Sequence, residues 1–274
     1  MLALEDIPVS TKTIIASSNL EIDIEKVFQT FPISEEPLKD ENSIYFQTMY
    51  FGNEIRGQMD KKRRKLSFRN AINVIGLMPN QKRINFKVSK NGKFQLTGCK
   101  EDQHAFTVVE QFIQRMRLYC PSDCLHRKED DIHIRISFKT VMTNIDFSLG
   151  FLINRLKLDE LINKHTQIYS LLETSCGYTG VNIKFPVQYA YWKDPIPLLV
   201  CEWNPHHVPF RKSLSMCHDP ISAMPTKQRY NTFLVFHSGN VIMSGMNLCS
   251  MKEHFIEFQK MILEWKPMIE EKIV

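Results

Sequence analysis

A chain of 274 residues can bury a sizeable core, either as one domain or as two fused units. Hydrophobic content of 43% and charged content of 24% are those of an ordinary globular protein, and no apolar run is long enough to span a bilayer. The formal net charge of +5 leans toward an anionic partner without specifying one.

The N-terminus, MLALEDIPVS, lacks the basic flank and apolar core of a secretory leader, so an intracellular protein is expected. Seven cysteines scattered along a chain of this length fit reduced thiols better than a disulfide framework.

In chain order, TIIASSNL (13–20) reads as a strand and DIEKVFQTF (23–31) as a helix. SIYFQTMYF (43–51) follows as a strand, then an insertion near 52–66 that carries the basic run KKRRK (61–65), then FRNAINVI (68–75). KKRRK suits a solvated loop, a nucleic-acid contact or an import signal. Residues 88–100, VSKNGKFQLTGCK, alternate apolar and polar side chains on both sides of an Asn-Gly turn, which is a hairpin signature. A helix over 101–117 is predicted next, from the apolar spacing of Phe106, Val109, Phe112, Ile113 and Met116.

A polar, turn-rich connector at 119–131 then leads into what reads as the same order again. TNIDFSL (143–149) matches SNLEIDI (18–24) at an offset of 125, and a helical segment over 150–165 follows. QIYSLLETS (167–175) matches the 43–51 strand, with Ile44-Tyr45 against Ile168-Tyr169, and YTGVNIKF (178–185) matches FRNAINVI at an offset of 110. VFHSGNVIMSGMN (235–247) repeats the hairpin at 147, pairing Gly92 with Gly239 and Gly98 with Gly245. A helix over 250–264 closes the second copy. The chain therefore reads as an internal duplication: a first copy over 1–118, the connector, and a second copy over 132–274 with a Pro- and aromatic-rich insertion near 186–228.

Alternation assigns the strand faces. Ile84, Phe86, Val88, Phe94 and Leu96 point one way, while Lys87, Ser89, Lys93, Gln95 and Thr97 point the other. Two such units, each a sheet with helices on one face, predict an α+β fold in which the copies form one curved antiparallel sheet with an open polar-basic face.

Two imperfect repeats closing on a Ser/Phe-x-x-Gly-Lys/Asn hairpin resemble the TATA-box-binding protein (TBP) family. Gly92, Lys93, Thr97, Gly98 and Lys100 carry the first hairpin motif, and Phe236, Ser238, Gly239 and Gly245 the second. The chain resembles in particular the divergent copies of large DNA viruses, which also combine long insertions with eroded motifs. The resemblance implies a saddle whose concave sheet enters the minor groove of A/T-rich double-stranded DNA and kinks it with aromatic wedges. It also implies partners in a general transcription factor of the TFIIB type and an RNA polymerase.

Carried over by motif, the wedge positions are Phe68 and Ser89 in the first copy, and Tyr178 and Phe236 in the second. Ser89 cannot unstack a base step, so uneven bending is expected. Thr97 and Ser244 fall at the groove-facing hydroxyls. The family's first-strand Asn positions fall near Thr13 and Lys139, and Arg69, Lys87, Lys93 and Lys139 are the candidate phosphate contacts. A scaffold that kept the fold but lost DNA bending, acting only through protein partners, is the alternative.

Cys120, Cys124 and His126 in the connector, and Cys201, His206, His207, Cys217 and His218 in the second insertion, lack the paired spacing of a zinc site. No catalytic motif is present, so neither an enzyme nor a bound cofactor is expected, and the sequence does not fix the oligomeric state.

Overall fold

The computed structural model describes residues 2–34, 43–58, 70–80, 82–128, 133–172, 179–188, 195–203, 209–217, 228–246 and 248–271. Through the first copy run β1 (Val9–Ser18), β2 (Leu20–Ile22), α1 (Ile24–Thr30), β3 (Tyr45–Phe51), β4 (Glu54–Gly57), β5 (Ala71–Leu77), β6 (Arg83–Ser89), β7 (Lys93–Cys99) and α2 (Asp102–Tyr119). After the short β8 (Leu125–Arg127) come β9 (Ile134–Ser148), α3 (Arg155–His165), β10 (Tyr169–Leu172), β11 (Gly180–Pro186), β12 (Ile196–Trp203), β13 (Pro209–Cys217), β14 (Tyr230–Phe236), β15 (Asn240–Gly245) and α4 (Leu248–Ile269). Among the described residues the paired strands are antiparallel and four α-helices accompany them, so the fold is α+β.

The chain folds into two compact units. The larger holds Lys12–Thr140 and Pro195–His218; the other holds Met1–Thr11, Val141–Asp194 and Asp219–Val274. These limits differ from the 118/132 division read from the sequence. Leu198–Cys201 of β12 pair with Ile134–Ser137 of β9, which draws the β12–β13 hairpin into the unit of the first copy. At the other end, Gln259 donates to the Leu2 carbonyl at 3.0 Å and Lys252 pairs with Glu5, which ties the first residues to α4 of the second copy.

Within the larger unit the strand order β4-β3-β5-β6-β7-β1 places hairpin β6–β7 between β5 and β1. Ile84, Phe86, Val88, Phe94 and Leu96 are buried, as alternation predicts. Phe112 of α2 supplies the cover: its ring lies 5.2 Å from Phe86, 5.5 Å from Phe46 and 4.5 Å from Phe31. The second unit has the order β10-β11-β14-β15-β9, which is the first copy's β3-β5-β6-β7-β1 again. Here Phe233 of β14 stacks on Phe258 of α4 at 4.2 Å, and Phe147 of β9 meets Phe255 at 5.1 Å.

The ladder registers fix the correspondence between the copies. Asn85 pairs with Thr97 and Thr232 with Ser244, so the hairpins keep the offset of 147 throughout. The first strands do not keep 125. Thr97 faces Thr13 and Ser244 faces Asn144, an offset of 131 (144 less 13). The helix caps agree: Asp23 accepts from the Lys26 amide at 3.1 Å and Asn154 from the Lys157 amide at 3.0 Å, again 131 apart. Likewise Asn73 lies opposite Lys87 and Asn182 opposite Leu234, so β5 and β11 are offset by 109 (182 less 73), not 110. Met49 lies opposite Val74 and Ser170 opposite Ile183, so Tyr169 is level with Thr48 instead of Tyr45.

Each hairpin turns through a glycine that only glycine suits. Gly92 and Gly239 have φ of 70° and 78°, and each donates to the carbonyl three residues back, Ser89 and Phe236, at 3.0 Å. A Cβ at Gly92 would sit 2.2 Å from the Leu20 carbonyl oxygen, and one at Gly239 2.2 Å from that of Phe151. We therefore expect Gly92→Ala and Gly239→Ala each to lower the unfolding free energy by about 2 kcal/mol or more; urea denaturation of the two variants measures it.

His254 supplies a second expectation. Burial depresses its pKa, and its Nδ1 lies 2.9 Å from the Asn231 amide. The folded state thus holds His254 neutral where the unfolded chain would protonate it. Stability is complete above the ordinary histidine range and falls as pH drops through it toward the depressed value. Urea midpoints measured from pH 8 to 5 should fall less steeply in His254→Gln than in the parent.

Candidate nucleic-acid interface

In each copy α-helices cover one sheet face, so the candidate residues are those of opposite parity to the core; in the first copy Thr48, Tyr50, Asn73 and Ile75 of that parity are buried as well, which leaves β6, β7 and β1 as the open part. In the first copy, strand pairing lines up Tyr50, Asn73, Lys87, Gln95 and Ile15 in one row, and Thr48, Ile75, Asn85, Thr97 and Thr13 in the next. In the second copy the same rows read Leu171, Asn182, Leu234, Ile242 and Asp146, then Tyr169, Lys184, Thr232, Ser244 and Asn144.

Thr97, Ser244, Lys87, Lys93 and Gln95 all fall on these open faces. Lys93 and Gln95 are exposed, Lys87, Thr97 and Ser244 half-buried. The Thr97 hydroxyl donates to the Asn85 carbonyl at 3.1 Å, which leaves its lone pairs available. Thr13 is buried beside the β1 bulge and offers little surface.

Ser89, at the wedge position of the first copy, closes the turn: its hydroxyl lies 3.0 Å from the Lys93 carbonyl and 2.9 Å from Asn91 Oδ1. Phe236, level with Ser89 by the hairpin register, is half-buried and lies opposite Gly180, which offers it no side chain across the ladder. Phe68, Arg69, Tyr178 and the KKRRK run lie outside the described residues.

Lys139 needs correction. It lies in the half of β9 that packs with the larger unit, where Ile134, Ile136 and Phe138 are buried. In the other half the buried residues are Thr143 and Ile145, so the inward parity changes along one 15-residue strand. The residue level with Thr13 is Asn144. Its Oδ1 is buried without a hydrogen-bond partner among the described residues, while its backbone carbonyl accepts from Ser10 at 3.0 Å. Asn144 was available in the sequence as part of TNIDFSL, but matching it to the identical letter at Asn19 concealed its place. The Asp23 and Asn154 caps were the signal that would have found it.

The two open faces differ in chemistry. The first copy presents Lys87, Gln95 and Lys93 where the second has Leu234, Ile242 and Asn240. The second face adds Tyr169 and Leu171, both about half exposed, and Lys184, whose Nζ lies 5.1 Å from the centre of the Tyr169 ring.

Elsewhere, Cys99, Cys120, Cys124 and Cys201 are buried free thiols, and burial pushes Cys124 up to about 11 and Cys201 up to about 12. The described residues bring together no cluster of three metal-ligating side chains, and His206, His207 and His218 lie outside them. No described helix is long and apolar enough to cross a membrane.

No family model matches the chain. It is 25% identical over 209 residues to the uncharacterized protein 335L of Invertebrate iridescent virus 6, a match that covers 73% of this chain and 61% of that one. It is 27% identical over 151 residues to a TATA-box-binding protein-like protein of Acanthamoeba polyphaga mimivirus, covering 46% and 40%. The matches thus span less than two thirds of either viral relative. Among solved structures, the Methanococcus jannaschii TBP aligns over 94% of this chain and 98% of its own, at 11% identity and a TM-score of 0.44. With the repeated strand order and the paired hairpins already established, the mimivirus match makes the chain similar to a divergent, TATA-box-binding-protein-like protein of a large DNA virus.

Proposed function

We propose that this protein is a transcription factor of a large DNA virus that binds the minor groove of A/T-rich promoter DNA through its open sheet faces. It acts by binding and not by catalysis, inside the infected cell, and helps assemble an initiation complex with a TFIIB-type factor and an RNA polymerase. The observation that carries this reading is the repeated row of small polar side chains, Thr97 in one copy and Ser244 with Asn144 in the other, on sheet faces that no described helix covers. Ser244 and the Asn144 amide can donate to a groove floor whose A·T pairs present only acceptors, whereas the one proton of Thr97 already goes to the Asn85 carbonyl. Lys87 and Lys93 add phosphate contacts at the first copy. The alternative of a scaffold without DNA bending draws support from Ser89, which is engaged in its own turn and has no ring to insert.

Gel shifts on A/T-rich duplexes at low and moderate salt test the reading. Binding that weakens steeply with salt is expected, and absence of binding at micromolar protein and low salt would leave only the scaffold. In a circular-permutation assay Phe236→Ala should bend DNA less than the parent and Ser89→Phe more; identical bending in all three would remove the wedge.

Asn144 separates function from stability. Because its Oδ1 pairs with none of the described residues, Asn144→Ala should change the unfolding free energy by no more than about 0.5 kcal/mol while weakening DNA binding several-fold. Urea denaturation and gel shifts on one preparation read both.

A further inference from the structure

Asp146 stands where a carboxylate is least expected on a face meant for A·T pairs. It is exposed on β9, opposite Ile242 of β15 and two residues from both Asn144 and Ser148 on the same side of the strand. The row it ends is otherwise Leu171, Asn182, Leu234 and Ile242, so its lateral neighbours are chiefly apolar. Among the described residues it forms no ion pair and caps no backbone amide. The level position in the first copy is Ile15, so the repeated architecture does not need an acid there. Its neighbour Asn144, by contrast, sits level with the polar Thr13.

An ionised carboxylate only accepts hydrogen bonds. Against an A·T pair it would face adenine N3 and thymine O2, which are acceptors as well, and would lose water without a partner. The one donor that a base pair offers in the minor groove is the N2 amino group of guanine. Resting on the DNA-binding reading above, we propose that Asp146 is a specificity-determining residue. It makes the part of the site beneath the second copy's sheet include a G·C pair, read at guanine N2, which the first copy, with Ile15 at the level position, does not ask for. The promoter element is thus of mixed composition, not A/T-rich throughout.

Selection of duplexes from a randomised library with the parent protein tests this, followed by binding titrations in which the chosen guanine is replaced by inosine. Inosine lacks only the N2 amino group and leaves the major-groove edge unchanged. The parent should select a guanine at a fixed position and lose about tenfold or more in affinity with inosine. Asp146→Val, an exposed substitution whose fold circular dichroism can check, should select A·T at that position and be indifferent to inosine.

Parent and variant both selecting A·T only, with equal affinity, would overturn the inference while leaving the DNA-binding reading intact. Selection of guanine by both would assign the preference to another residue and overturn it equally. Binding by Asp146→Val but not by the parent would make Asp146 a block to DNA instead of a reader. Absence of binding by both proteins at low salt would overturn the DNA-binding reading and the inference with it.

Discussion

The seating of one sheet face under α-helices is the constraint on which the rest of this protein depends. Phe112 of α2 lies among Phe31, Phe46 and Phe86, and Phe258 of α4 stacks on Phe233. Once Phe86 and Phe233 point inward, period-two geometry sends Lys87 and Leu234 outward, and with them every neighbour in the same rows. Slippage by one residue would bury Lys87 and expose Phe86, at a cost of several kcal/mol from the aromatic ring alone. The open face is therefore not chosen locally; it is what remains after the core has been satisfied.

This explains which parts were legible in the sequence. The hairpins carry their own registration: Gly92 and Gly239 permit a backbone conformation that other residues resist, and apolar alternation on either side does the rest. Helices α2 and α4 announce themselves by apolar spacing. The first strands have no such marker. Matching Asn19 to Asn144 rewards letter identity, whereas the strand pairs by backbone register and by the helix cap that follows it. Strand β9 defeats a simple reading of alternation because its inward parity changes between Phe138 and Thr143. The docking of β12 on β9 is a pairing across about sixty residues of chain with no local signature, and sequence order alone gives no cause to expect it.

With the corrected offsets, the two copies diverge on one side of the sheet much more than on the other. Inward positions keep their character: Phe86 with Phe233, Val88 with Val235, Ile14 with Ile145, Val74 with Ile183. Outward positions exchange it: Lys87 with Leu234, Gln95 with Ile242, Ser89 with Phe236, Ile15 with Asp146. Close packing accounts for the first set, since an interior position tolerates little change of volume or polarity. The second set is free of that restriction, so each copy's open face carries its own chemistry.

Magnitudes decide how such faces can hold DNA. Phe236 is already half-buried in the free protein, so completing its burial between bases returns about 1–2 kcal/mol. Opening a base step costs a few kcal/mol, so one wedge at best breaks even. Net affinity must then come from contacts that a bent duplex brings within reach, and the described cations of outward parity include Arg83, Lys87, Lys93 and Lys184. Three of these four belong to the first copy, and the Lys184 ammonium of the second lies 5.1 Å from the centre of the Tyr169 ring. On the proposed reading the wedge and the charge thus reside in different copies: the first would hold the backbone, and the second would supply the ring and the acid that make one base step differ from another.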